Sequence, residues 1–215
     1  MCGIVGYVGS QQVAPILLDG LSKLEYRGYD SAGVAVYTGE QLEVVKAKGR
    51  LEILRDMLDG GRNLKGTIGI GHTRWATHGQ PSDVNSHPHI SSSGRFAIVH
   101  NGIIENYMQL KNRLMEKGFA FASETDSEVI AQLIEYYYNG DILDTVVMLQ
   151  NSLEGSYALG ILCLDHPDEI IAMRKDSPLI VGLGEGENFI ASDIPAILSY
   201  TRDIYHLEEK EIVVM

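Results

Sequence analysis

The chain has 215 residues, 45% of them hydrophobic, enough for one globular domain or two small ones sharing a core. Its 17 basic and 29 acidic residues give a formal charge of −12, which argues against a nucleic-acid partner, because a phosphate backbone needs a clustered positive surface. Two cysteines exclude a disulfide framework, and no apolar run approaches the ~18 residues of a membrane span, so a reducing cytoplasm is the expected compartment.

The start, Met1 to Gly6, lacks a cationic leader and has glycine third rather than second, which speaks against a secretory signal and against myristoylation. Gly3 to Val8 reads as a short buried strand. Val13, Leu17, Leu21 and Leu24 then recur at helical spacing, and Tyr26 to Ser31 is a turn cluster. Val34 to Tyr37 and Leu42 to Ala47 are expected to pair as a hairpin across Gly39-Glu40. Leu51, Leu54 and Leu58 mark a helix ending at Gly60-Gly61. Thr67 to Gly71 is a further strand. The histidine-rich stretch from His72 to Ser93 is longer than a routine connection, which points to function.

Arg95 to His100 returns to strand, and a helix carrying Leu110 and Leu114 follows Glu105. Thr125-Asp126-Ser127-Glu128 has the form of a capping box ahead of Val129, Ile130, Leu133 and Ile134. Leu143 to Leu153 predicts another helix. Beyond Gly155 the pattern is β: Tyr157 to Leu164, Glu169 to Arg174, Leu179 to Leu183, Phe189 to Ala191, and Ile204 to the end. Strands, then helices, then strands indicate an α+β fold with antiparallel sheets rather than alternating βαβ units. Repeats, linkers and low-complexity segments are lacking.

Four features carry chemistry. With Met1 removed, as is usual ahead of a small residue, Cys2 has a thiol and an α-amine on one residue. That amine, with an unperturbed pKa near ~7.8, is a built-in general base. Within His72-Thr73-Arg74-Trp75-Ala76-Thr77-His78-Gly79, Arg74 suits a carboxylate through paired hydrogen bonds. His100-Asn101-Gly102 closes a strand and offers either an Asn-Gly turn or two donors for a developing oxyanion. Asp126 suits either a helix N-terminus or a substrate ammonium. Five of the seven histidines fall between His72 and His100, but their spacing forms no recognised ligand pattern, so no metal is expected. Cys163, in an apolar run, reads as a buried strand residue. Together these groups match a free amino-acid amide as substrate.

Cys2-Gly3-Ile4-Val5-Gly6 resembles the start of the class II glutamine amidotransferases. Leu24 to Gly33, His72 to Gly79, His100 to Asn106, Ser123 to Glu128 and Ser177 to Asp193 resemble the glucosamine-6-phosphate synthase branch of that family. The resemblance implies one glutaminase domain over residues 1–215 with an Ntn-hydrolase fold, a four-layer αββα sandwich of two antiparallel sheets. It implies Cys2 as nucleophile and Asn101 with Gly102 as oxyanion hole. Arg74, Thr77 and His78 would hold the α-carboxylate of L-glutamine, and Asp126 its amino group. The backbone at Arg27 and Gly28 would lie beside the nucleophile, and Trp75 in a loop that closes over substrate. The implied reaction is glutamine hydrolysis through a γ-glutamyl thioester without a cofactor. A sugar isomerase part with a fructose 6-phosphate site follows in that family, in enzymes expected to be homo-oligomers, and this chain ends without it. Other class II glutaminases differ around Arg27 and Arg74. A non-catalytic metal-binding domain built on the histidines is the alternative from another class.

Overall fold

A computed structural model of the chain describes residues 2–75 and 79–215. The first sheet contains β1 (Gly3–Val8), β2 (Ser31–Tyr37), β3 (Leu42–Lys48), β4 (Ile68–Arg74), β9 (Ile180–Leu183), β10 (Asn188–Ala191) and β11 (Asp203–His206), in the order β11-β9-β10-β1-β4-β2-β3. The second contains β5 (His89–Ile90), β6 (Phe96–Ile104), β7 (Gly155–Cys163), β8 (His166–Lys175) and β12 (Ile212–Val214), in the order β12-β8-β7-β6-β5. Neighbouring strands within both sheets pair antiparallel. Helices α1 (Val13–Ser22) and α2 (Leu51–Met57) belong to the first half, and α3 (Tyr107–Glu116), α4 (Glu128–Tyr137) and α5 (Ile142–Ser152) to the middle of the chain.

The period of two along each strand separates three apolar layers. On β8, Ile170 and Ala172 join one core while Ile171 and Met173 join another. On β6 the same division holds between Ala97 with Val99 and Phe96 with Ile98. The shared core, with Ile4, Ile70, Val99, Ala158 and Ile190, lies between the sheets. The outer two lie beneath the helices: Leu17, Leu21 and Leu54 on the first sheet, Ile130, Leu133 and Val146 on the second. This is the αββα order implied by the resemblance. Strands covered on both faces read as continuous apolar runs, and burial removes about 25 cal/mol of unfavourable hydration per Å². Cys163 is buried under the helices of the second sheet.

Several expected boundaries shift. β4 continues from Gly71 through His72, Thr73 and Arg74, and β6 continues past His100 to Ile104, so Asn101-Gly102 is strand rather than turn. Polar residues interrupt the apolar pattern there without interrupting the ladder. The final segment divides into β11 and β12, one in each sheet. The capping box is only half formed. Thr125 Oγ1 accepts from Glu128 N at 3.3 Å, but the Glu128 carboxylate turns to the N–H groups of Ala122 and Ser123. No helix of the described residues is long and apolar enough to cross a membrane.

Candidate active site

One end of the gap between the sheets is polar. β1 and β4 pair with Ile4 opposite His72, so Ile68, Ile70, His72 and Arg74 alternate along one face of β4. That face meets β6, where Ala97, Val99 and Asn101 share the inward side. Cys2 precedes β1 at this end.

Cys2 is held at three points. Its carbonyl accepts from Arg27 Nε at 3.0 Å and from Asn101 Nδ2 at 3.1 Å, and its Sγ accepts from the backbone N–H of Trp75 at 3.2 Å. Burial pushes the thiol pKa up, opposed by the Trp75 N–H and the positive charges of Arg74 and Arg27. The resting group is therefore a thiol, and a base must take its proton before it attacks.

Arg27 is buried and reaches Asp193 through Nη1 at 3.3 Å as well as the Cys2 carbonyl. Gly28 packs on the next strand end. A Cβ there would meet the Arg74 carbonyl carbon at 2.6 Å and Trp75 N at 2.8 Å, so only glycine allows this approach. The pair thus braces both the Cys2 carbonyl and the backbone that donates to its sulfur.

Arg74 is 3% exposed and donates from Nη2 to the Gly79 carbonyl at 3.1 Å. Desolvation lowers its pKa, while Cys2, Asp30 and Asp126 favour its charge. Asp126 is buried and accepts from the Ile104 N–H through Oδ2 at 2.8 Å. Arg74, Trp75, Gly102 and Asp126 line one cleft with Cys2. The Trp75 ring, 47% exposed, stands edge-on to Tyr29 at 5.8 Å. Gly102 has φ +126°, a region closed to most side chains, and a Cβ there would strike the Ser156 carbonyl oxygen at 2.1 Å. Thr77 and His78 lie outside the described residues.

A block of buried imidazoles, of which His87 and His100 line the cleft, was marked by the sequence only as a cluster. His87 lies 4.1 Å from His72 and 4.7 Å from His89 between ring centroids. His100 Nδ1 pairs with Ser127 Oγ at 2.8 Å, and His89 Nε2 with Thr125 Oγ1 at 3.0 Å. Burial lowers the pKa of all four, that of His72 to about 3. Among the described residues, no group of three or more histidine, cysteine or acidic side chains is placed to hold a metal ion.

Sequence reasoning missed the Arg27 side chain, Asp193 and His72 as parts of the site. The alternation of His72 with Arg74 would have revealed the true end of β4 and placed both on one face.

Comparison with known proteins gives a consistent picture. A family model described as a glutamine amidotransferase domain matches residues 72–199. A glutamine–fructose-6-phosphate aminotransferase (isomerizing) of Caldanaerobacter subterraneus subsp. tengcongensis is 62% identical over 215 residues, covering 100% of this chain and 35% of the relative. Its namesake from Thermus thermophilus is 54% identical over 213 residues, covering 99% and 35%. The chain thus spans about a third of the length of the curated relatives it matches. Among solved structures, glutamine phosphoribosylpyrophosphate amidotransferase from B. subtilis superposes with TM-score 0.87 at 28% identity, covering 99% of this chain and 47% of that one. A class II glutamine aminotransferase domain protein from Silicibacter pomeroyi, with TM-score 0.65 and 11% identity over 99% of this chain and 94% of that one, shares the fold.

Proposed function

The chain belongs to the glutamine amidotransferase domain family, and from that premise we propose that it hydrolyses L-glutamine to glutamate and ammonia with Cys2 as nucleophile. The observation that carries this reading is a thiol held by the Trp75 N–H in a cleft that also contains Arg74 and Asp126. An arginine and an aspartate in one cleft with a nucleophile suit the two charges of a free amino acid.

After removal of Met1, the Cys2 α-amine takes the thiol proton, and Sγ bonds to the side-chain carbonyl carbon of glutamine. The carbonyl oxygen becomes anionic and receives hydrogen bonds from Asn101 Nδ2, which has a second proton beyond the one given to the Cys2 carbonyl, and from the Gly102 N–H. Collapse breaks the C–N bond. The proton held by the amine passes to the departing nitrogen, releasing ammonia and leaving a γ-glutamyl thioester. Water, deprotonated by the same amine, adds to that thioester through a second oxyanion, and glutamate leaves as Cys2 regains its proton. Arg74, with Thr77 and His78, holds the α-carboxylate, Asp126 the α-ammonium, and Trp75 the cleft mouth.

The relatives are named for glutamine and fructose 6-phosphate. In a longer protein of that kind, a sugar isomerase part would take the ammonia to make glucosamine 6-phosphate, in a cytoplasmic homo-oligomer. A glutaminase assay paired with intact-mass measurement tests the core of the reading. Cys2→Ala should abolish glutamate release, and Cys163→Ala should retain most of it. Loss of activity on changing Cys163 but not Cys2 would overturn the assignment.

A further inference from the structure

The orientation of the Asn101 amide is determined by its neighbours. One end lies 3.1 Å from the Cys2 carbonyl oxygen, which can only accept, so that end is the NH2 group. The other end is then Oδ1, and it lies 3.0 Å from His72 Nε2. The same nitrogen is 3.1 Å from the His100 carbonyl oxygen. Two acceptors facing one ring nitrogen require that nitrogen to carry the proton. The His72 ring is completely buried, and its other nitrogen has no partner among the described residues. A buried imidazole with one nitrogen proton-bearing and the other bare is neutral, and the unfavourable burial of its charged form agrees with this.

The geometry points to His72 as a positioning residue that fixes the amide of Asn101 by donating from Nε2 to Oδ1, so that the NH2 end faces Cys2 and the reacting oxygen. This rests on the oxyanion role proposed for Asn101. Without the donor, Oδ1 would be left facing the bare carbonyl of His100, and rotation of the amide would present an acceptor where a donor is needed. An acceptor beside a developing oxyanion repels it, so the loss should appear in turnover rather than in glutamine binding. The neighbour that could interfere is His87, tilted against His72 at 4.1 Å between ring centroids and neutral by the same burial. Arg74 and His100 also face the ring, and both disfavour a second positive charge there.

Two measurements test the inference on this chain. Nitrogen-15 NMR of the imidazole rings in the unaltered protein should find His72 in the Nε2–H tautomer at pH 7. A proton on Nδ1 instead would overturn it, whatever the variants do. In kinetics, His72→Leu should lower kcat about 10- to 100-fold with KM for glutamine within about twofold. His72→Gln, which keeps an N–H donor, should recover part of the loss. The same His72→Leu change made on an Asn101→Ala background should cost under about twofold, because the group it positions is gone. Equal losses on both backgrounds, or a loss confined to KM, would refute positioning through Asn101. If Asn101→Ala alone leaves kcat intact, the oxyanion reading fails, while the tautomer result still reports on the hydrogen bond. Should His72→Leu not fold, the tautomer and the His72→Gln kinetics decide.

Discussion

Acid should begin to destabilise this protein above the pH at which carboxylates titrate. His72, His87 and His89 are buried, and burial is the largest cause depressing each pKa, to about 3 for His72 and well below 6.5 for the other two. In the unfolded chain each imidazole binds a proton near pH ~6.5, while the native state does not. The unfolded state therefore binds more protons, and stability, fully present above about pH 6.5, falls as the pH drops toward 3. From pH 7 to pH 5, holding His72 neutral costs about 2 kcal/mol, and the depressed His87 and His89 act in the same direction. Urea unfolding followed by circular dichroism at half-unit pH intervals should show stability falling below about pH 6.5, by at least about 1 kcal/mol per pH unit near pH 5. A stability constant from pH 7 to pH 5 would refute the reasoning, because it would mean that the imidazoles are protonated in the folded protein or reach water there.

The other predictions concern the cleft. Arg74→Lys keeps the charge but loses the two-pronged grip, so KM for glutamine should rise about 10- to 100-fold with little change in kcat, as steady-state kinetics would show. Gly28→Ala drives a Cβ into the Arg74–Trp75 backbone, at 2.6 Å from the carbonyl carbon. It should cost about 1–3 kcal/mol in thermal or urea unfolding and lower turnover by moving the donor to Cys2 Sγ. With Met1 in place, the raised thiol pKa means that alkylation of Cys2 by iodoacetamide should have a midpoint above the ordinary 9.0, with Cys163 protected by the fold; a midpoint below about 8 would show that the nearby positive charges outweigh burial.

The strands whose faces are both buried were legible because their apolar runs are uninterrupted: β1, β7 and β10 stand within two residues of where the pattern puts them. The two strands that carry the site both run past their expected ends. β4 ends in His72-Thr73-Arg74 and β6 in Asn101-Gly102-Ile103-Ile104, where side chains turn from apolar core to polar cleft while the backbone ladder continues. Hydropathy marks the end of the core, and the ladder marks the end of the strand. These differ wherever a sheet edge is used for chemistry. The candidate nucleophile, carboxylate grip and oxyanion donors were legible as residue types in motifs. The Arg27–Cys2 and His72–Asn101 contacts were not, since they join positions 25 and 29 residues apart through register and sheet packing.

The same geometry explains why so many buried polar groups converge on one residue at the start of β1. A chain terminus ordinarily frays, because nothing precedes it to hold it in place. A nucleophile that carries its own base on its α-nitrogen must be terminal and yet be held to within a fraction of an ångström of its reacting partner. Hydrogen bonds to its carbonyl and sulfur replace the missing tether. Arg27 Nε, Asn101 Nδ2 and the Trp75 N–H reach Cys2 from three separate segments of chain. Each donor is itself fixed, Arg27 by Asp193, Asn101 by His72, and Trp75 N by the backbone packed against Gly28. In the proposed mechanism Asn101 has two tasks at once, since one proton of its amide is given to the Cys2 carbonyl and the other would meet the oxygen that gains charge. That sharing ties the position of the attacking sulfur to the position of the oxyanion, so displacement of either group is felt by both.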